Sequence, residues 1–336
     1  MMAGEVWTLG EVTNDGKLRD ISFELLAWGK NLARDLGTEL CSIVLGSDIS
    51  DEELKRLFAY GADKVYIVRH PLLKRFLLEP FTKVLQHLVW TYKPEIFLAG
   101  ATKTGRTVMP DVASKVYTGL TADCTSLAID PESKDLMQTR PAIGGNILAT
   151  IRTPNHRPQM ATVRQKSIEM PLPEEGREGE IFVPEIPETC FVSEVVIESF
   201  EEVSYGSAKL DEAGIVVSGG GGIGSPENFK LVKDFASAMG GAYGSSRVPV
   251  DLGWVPYELQ VGLSGKSISP DLYVACGISG AMQHLAGIST AKTIVAINND
   301  KEAAIFQTAD LGFVGDVNLV IPALIEAVKE YRESKK

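Results

Sequence analysis

At 336 residues the chain exceeds what one hydrophobic core ordinarily holds, so two domains are expected. Its 44% hydrophobic and 23% charged content is that of a globular fold, and a net charge of -11 argues against a nucleic-acid partner. No apolar run approaches the ~20 residues that cross a bilayer, which argues against membrane insertion. The start, Met1-Met2-Ala3-Gly4-Glu5, lacks the basic-then-apolar pattern of a secretory signal. Cys41, Cys124, Cys190 and Cys276 are scattered and form no Cys-x-x-Cys pair, so buried reduced thiols are expected rather than disulfides or a metal site. A cytoplasmic location follows as the expectation.

The first half alternates strands with helices. Val6 to Leu9 reads as a strand, Ile21 to Leu36 as an amphipathic helix, and Leu40 to Leu45 as a second strand. Asp51 to Tyr60 reads as a helix with Ser50 placed to cap it. Lys64 to Val68 and Glu95 to Ala99 continue as strands, Phe76 to Thr91 and Thr104 to Val116 as helices. Strands spaced by helices of this length predict a parallel, helix-covered sheet. From Ala122 to Val163 the pattern turns to short runs, Thr125 to Ile129, Ile147 to Ile151 and Met160 to Val163, which read as an antiparallel extension of the same domain. Pro171 to Pro187, rich in Pro, Glu and Gly, reads as a surface excursion. Val192 to Val203 alternates like a strand, and Ser204 to Asp211 reads as a hinge. The expected division is therefore an N-terminal domain over residues 1–203, a hinge at 204–213, and a second domain over 214–336.

That second domain opens with a strand, Ile215 to Val217, followed by Ser218-Gly219-Gly220-Gly221-Gly222-Ile223-Gly224 and a helix over Glu227 to Met239. Gly219, Gly221 and Gly224 fit the G-x-G-x-x-G of a dinucleotide pyrophosphate loop, although a structural glycine turn fits nearly as well. Where an NAD-binding domain carries an acidic residue for the ribose, a loop at Gly244-Ser245-Ser246-Arg247 stands instead. This points away from NAD and toward a phosphate contact or a cation facing a flavin; a solvated loop arginine is the plain alternative. Asp251 to Lys266, dense in glycine, amide and hydroxyl groups, reads as a loop closing over a cofactor, with Trp254 and Tyr257 as stacking surfaces or packing anchors.

Asp271 to Asn298 is the most informative stretch. Leu272 to Cys276, bounded by Pro270 and Gly277, reads as a buried parallel strand. Gly277, Ser279 and Gly280 then bring backbone amides to a short helix carrying Gln283 and His284, and Asn298 closes the next strand. Polar groups thus converge at the carboxyl ends of neighbouring strands, where open α/β sheets bind ligands. In that company His284 reads as a donor to a ring carbonyl; alone it would be an ordinary helix histidine. His70, His87 and His156 lack such neighbours, and no pair of histidines has metal-ligand spacing. Asp316, after the apolar Leu311 to Val314, either holds a ribose hydroxyl or caps the final helix, Leu319 to Arg332.

Taken in order, Val-Val-Ser-Gly-Gly, Ser-Ser-Arg, Pro-x-x-x-Gln-Val-Gly, Gly-Ile-Ser-Gly-x-x-Gln-His, Ala-Ile-Asn and the Ala309-Asp310…Asp316 tail resemble the alpha subunit of electron-transfer flavoprotein. The motifs span the second domain, from about Ile215 to Asp316, and the first domain matches more loosely. The resemblance implies an open, mostly parallel α/β domain with an antiparallel extension, followed by a Rossmann-like domain holding one FAD. By position, Ser246 and Arg247 would lie at the phosphates and near the isoalloxazine. Gln260, Val261, Gly262, Leu263, Ser264 and Gly265 would line the flavin, with Ser264 toward N5. Ser279, Gly280, Ala281, Met282 and Gln283 would supply backbone and side-chain contacts, and His284 would face the C2 carbonyl. Asn298, Asp316 and Val317 would hold the ribose and adenine end.

The resemblance also implies a heterodimer with a beta subunit, exchanging electrons with a dehydrogenase or NADH-linked donor and a separate, for example quinone-linked, oxidoreductase. It accommodates both a simple carrier and an NADH-dependent electron-bifurcating complex. The flavin would carry the chemistry with no catalytic acid, base, nucleophile or metal, and Arg247, His284 and Ser264 would tune it. Two positions depart from the family pattern. Gly221 stands where arginine is expected, and Leu263-Ser264 where Gln-Thr is expected, so a pyrophosphate contact and an amide near N5 are changed. Two other readings stay open: a free-standing NADP-linked oxidoreductase using Gly219 to Gly224 and Arg247, and a non-catalytic nucleotide-binding module.

Overall fold

The computed structural model describes residues 4–142, 147–200, 210 and 213–335. The chain divides into two compact units, residues 1–200 and 201–336.

In the first unit β1 (Val6–Gly10), α1 (Asp20–Leu36), β2 (Leu40–Gly46), α2 (Asp51–Ala59), β3 (Lys64–Arg69), α3 (Leu78–Tyr92), β4 (Ile96–Gly100) and α4 (Lys103–Lys115) follow the predicted alternation. Local chemistry sets the ends. The Ser50 hydroxyl accepts from the Glu53 amide at 3.2 Å, and the Thr102 hydroxyl accepts from Gly105 at 3.0 Å. Gly37 stops α1 in the left-handed conformation, φ 69°. Then come β5 (Leu120–Cys124), β6 (Ser126–Ile129), β7 (Leu136–Pro141), β8 (Leu148–Ile151), β9 (Gln159–Val163) and β10 (Glu180–Phe182). The main sheet is seven-stranded, in the order β10-β3-β2-β1-β4-β9-β5, with every pairing parallel.

Three expectations are corrected here. Met160 to Val163 does not belong to the antiparallel extension: β9 lies inside the parallel sheet between β4 and β5, and its five residues are all buried. A run without a polar face needs cover on both sides, which an interior strand provides. Among the described residues, β6, β7 and β8 form the antiparallel sheet. The Pro171 to Pro187 excursion contributes β10, which extends the sheet beyond β3 and half-buries Ile181 and Phe182. Residues 192–200 form no strand and are mostly exposed, because their alternating valines find no partner strand. Most of the expected hinge, 204–209 and 211–212, lies outside the described residues, as do 201–203.

The second unit contains β11 (Ile215–Gly219), α5 (Phe229–Met239), β12 (Ala242–Ser245), α6 (Arg247–Asp251), β13 (Leu272–Cys276), α7 (Met282–Leu285), β14 (Thr293–Asn298), β15 (Leu311–Val314) and α8 (Val317–Ser334). Its sheet is parallel throughout, in the order β12-β11-β13-β14-β15. This doubly wound order reverses direction between β11 and β13, which opens a crevice at their carboxyl ends. The predicted loop at Gly244 to Arg247 is instead the end of β12 and the start of α6, because Gly244 pairs with Ser218 in the sheet. A side chain there would meet the Ser218 hydroxyl at 2.8 Å, so glycine allows the strand to close. Among the described residues, no helix is long and apolar enough to cross a membrane.

Candidate cofactor site

A cavity of about 510 Å³ opens over the carboxyl ends of β11, β12 and β13. One wall is the glycine run, and its amides answer the choice between pyrophosphate loop and structural turn. Gly220 and Gly222 donate to the Cys276 and Gly277 carbonyls, each at 2.9 Å, while Ile223 and Gly224 donate back to Gly220 and Gly221 at 3.2 and 3.1 Å. These four amides are engaged within the protein, so this part of the run locks two strand ends together. Close approach demands glycine: a Cβ on Gly220 would lie 2.2 Å from the Gly277 carbonyl oxygen.

The opposite wall is the segment after α6. Val261 donates to the Ser245 carbonyl at 2.8 Å and Leu263 to that of Gln283 at 2.7 Å, so the segment bridges the ends of β12 and α7. The buried Gln260 amide donates to the Ser264 hydroxyl at 3.0 Å. Arg247 opens α6 at the rim, and its Nε donates to Asp251 Oδ2 at 3.0 Å, with both side chains well exposed. Both residues line the cavity.

His284 is 6% exposed, and burial pushes its imidazole down to about 4, so it is neutral at pH 7. Its Nδ1 lies 3.0 Å from the Val261 carbonyl oxygen and its Nε2 lies 2.8 Å from the Tyr273 hydroxyl. The expectation of a histidine donating to a ring carbonyl therefore meets a different arrangement, in which both ring nitrogens already have protein partners.

Of the residues singled out in the sequence, Ser246, Arg247, Gln260, Val261, Gly262, Leu263, Ser264, Ser279, Ala281, Gln283 and His284 line the cavity. Gly265, Gly280, Met282, Asn298, Asp316 and Val317 do not. Gly280 makes a tight turn at φ 87° against Ile305, and Gly265 packs on the Gln260 backbone. Met282 points to solvent, and Val317 is buried in the core. Asn298 braces the β13 turn by donating to the Ile278 carbonyl at 3.0 Å. Asp316 caps α8, accepting from the Asn318 amide at 2.8 Å, so the capping reading describes it. Trp254 and Tyr257 are anchors: Trp254 packs on the core, and the Tyr257 hydroxyl donates to the Ser264 carbonyl. Gly221 and Gly222 of the glycine run, Gly277 of the β13 turn and Asp251 at the start of the closing loop also line the cavity, and sequence reasoning missed Val248 and Ile278. For Asp251 a signal existed, the spacing of four from Arg247 on a helical segment.

Elsewhere, Glu5, Glu39 and Cys41 could approach one metal ion, yet the Glu5 carboxylate already accepts from Trp7 at 2.6 Å and Tyr66 at 3.0 Å. The four cysteines are free and buried, and burial pushes the Cys124 and Cys276 thiols up to about 12. A smaller cavity of about 120 Å³ above β1 and β2 includes Glu11, whose buried carboxylate accepts from the Thr102 hydroxyl at 2.6 Å.

The larger cavity fits a flavin. Its volume is in the range of about 300–1,000 Å³ usual for ligand pockets. Val248, Val261 and Ile278 offer an apolar surface for a ring, and Arg247 offers a cation for negative charge at its edge or phosphates.

A family model described as the electron transfer flavoprotein domain matches residues 6–189, and one described as the electron transfer flavoprotein FAD-binding domain matches residues 209–289. The electron transfer flavoprotein subunit alpha of Thermoanaerobacterium thermosaccharolyticum is 44% identical over 330 residues, covering 98% of both chains. That of Megasphaera elsdenii is 42% identical, covering 95% of this chain and 94% of its own. Protein FixB of Azorhizobium caulinodans is 44% identical, covering 96% of this chain and 88% of its own. Fold, cavity and matches together define an FAD-binding α/β electron carrier. The chain belongs to the electron-transfer flavoprotein alpha subunit family, whose members pair with a beta subunit.

Proposed function

We propose that the isoalloxazine of FAD occupies the cavity over β11, β12 and β13, with Arg247 at its edge, and that the subunit passes electrons between a dehydrogenase or NADH-linked donor and a separate acceptor in the cytoplasm. The observation that carries this reading is the placement of Arg247 beside an apolar cavity at the point where the sheet reverses direction. The bound flavin supplies the redox chemistry, and the chain's residues bind, orient and bias it. Arg247 holds positive charge where the reduced ring gathers negative charge, and the 260–266 segment excludes water from one side. The NADP-linked alternative loses its main support, because the glycine run's amides hold the neighbouring strand turn. Buried, reduced cysteines favour the cytoplasmic location.

Co-expression with the beta subunit should yield a yellow complex with an oxidised-flavin absorption band, and the Arg247→Ala complex should release FAD more readily. A colourless wild-type complex after reconstitution with FAD, or unchanged FAD affinity in Arg247→Ala, would overturn the assignment.

A further inference from the structure

We infer that residues 190–200, the stretch leading out of the first unit, are a latched strap, and that its fastening residues set the length of free chain connecting the two units. After the single turn Glu188–Cys190 the stretch forms neither helix nor strand, yet it is held at several points. Cys190 is buried in the same core as Val84 and Leu85 of α3. The Phe191 ring stacks on His70, with centroids 3.9 Å apart and planes 12° from parallel. That histidine is itself fixed, its Nδ1 accepting from the Leu72 amide at 3.2 Å. Glu79 and Lys83, four residues apart and so on one face of α3, take the next backbone groups. Lys83 donates to the Val192 carbonyl at 3.3 Å, and the Glu194 amide donates to Glu79 Oε2 at 2.8 Å. At the far end the Arg75 guanidinium lies 4.1 Å from the centre of the Phe200 ring.

The hold is specific but shallow. Side chains of α3 and the turn before it engage the strap's backbone and its two aromatic rings, whereas Val192, Val195, Val196 and Ile197 stay exposed. A segment with so little buried apolar surface opens far more easily than the unit unfolds. The consequence is one of chain length. Leu210 is buried in the core of the second unit. With the strap fastened, the chain from Phe200 to Leu210 is ten peptide steps and reaches at most about 35 Å; released back to Phe191, it is nineteen steps and reaches about 65 Å. The volume open to a tethered unit grows with the cube of that reach, so the latch sets the local concentration at which the second unit meets whatever exchanges electrons with it.

This inference is independent of the flavin placement, and two measurements on the co-expressed complex test it. Glutamyl endopeptidase cuts after Glu194 and Glu198, both within the strap. In the double variant Arg75→Ala, Glu79→Ala the initial rate of cleavage at these two sites should rise roughly tenfold, the scale of one or two lost contacts. Glu79→Gln alone, which keeps an acceptor for the Glu194 amide, should stay nearer the wild type than Glu79→Ala alone. Nitroxide labels on Lys55→Cys and Lys329→Cys, one exposed position in each unit, report the tether by pulsed electron resonance, since the native cysteines are buried. The release variant should show a broader distance distribution with a longer upper limit, while the Tm of the complex holds. Cleavage rates equal to the wild type in the folded double variant would overturn the latch. Faster cleavage with an unchanged distance distribution would overturn its control of the tether.

Discussion

Arg247 Nε and Asp251 Oδ2 lie 3.0 Å apart across one turn of α6, and both side chains open onto the cavity. A cation intended for a negatively charged ligand is thus held in position by a carboxylate that also offsets part of its charge. Because both groups are well exposed, the pair contributes little to folding, about 0–1 kcal/mol. Its influence should appear in the flavin instead. Asp251→Asn keeps an oxygen for Nε and removes the negative charge, so the flavin potential should rise with Tm unchanged. Arg247→Ala should lower the potential, losing a charge-assisted interaction of roughly 1.5–3 kcal/mol. Reductive titration against a reference dye measures both; equal potentials in all three proteins would remove Asp251 and Arg247 from the redox site.

The glycine run separates structural from functional positions. Gly220→Ala drives a methyl group into the Gly277 carbonyl, with backbone on both sides, and should cost at least about 3 kcal/mol or prevent the second unit from folding. Gly221 faces the cavity rim, where a Cβ meets only the Val248 side chain at 3.1 Å. Gly221→Arg should therefore fold and, by adding a cation, tighten FAD binding several-fold. Thermal unfolding and flavin fluorescence titration report the two effects; weaker binding in Gly221→Arg would show that the rim does not face the phosphates.

Acid should weaken the second unit through His284. Its folded value, about 4, lies below the ordinary 6.5, so the unfolded chain takes up the proton first as pH falls. The stability involved is complete above about pH 6.5 and lost progressively toward pH 4, on the order of 3 kcal/mol in all. Hydrogen exchange of the β13 amides at pH 7 and pH 4.5 should show the loss in the wild type and a smaller one in His284→Gln. Equal acid sensitivity in the two would mean that another group controls it.

Glu11 should act in the opposite sense in the first unit. Burial raises its pKa, against the lowering effect of the Thr102 hydroxyl and Arg19, so the folded state binds its proton more tightly than the unfolded one. Stability from this group grows as pH falls through that raised value. Glu11→Gln keeps an acceptor for Thr102 without the buried charge, and should stabilise the first unit at pH 8 with a benefit that shrinks in acid. Chemical denaturation at the two pH values checks it; a destabilised Glu11→Gln at pH 8 would show that the charge itself is needed.

The sequence by itself determined the parallel α/β architecture, because apolar runs such as Leu272 to Cys276, closed by Pro270 and Gly277, leave a strand no solvated face. It also determined the family, since Gly-Ile-Ser-Gly-x-x-Gln-His and its companions are local strings whose order survives without coordinates. Caps such as Ser50 were legible for the same reason, as their partners lie three residues away. Three-dimensional packing decided the rest. Nothing local tells Met160 to Val163 that its neighbours are β4 and β5, since strand order depends on elements distant in the chain. The glycine run fits a phosphate loop and a structural turn nearly equally in sequence, and only the fold brings the Gly220 and Gly222 amides to the Cys276 and Gly277 carbonyls. His284 looked like a free donor until Tyr273, from the strand beneath, and Val261, from the facing segment, took its two nitrogens. A residue's type fixes which hydrogen bonds it can make, but only the folded chain decides which partners arrive first.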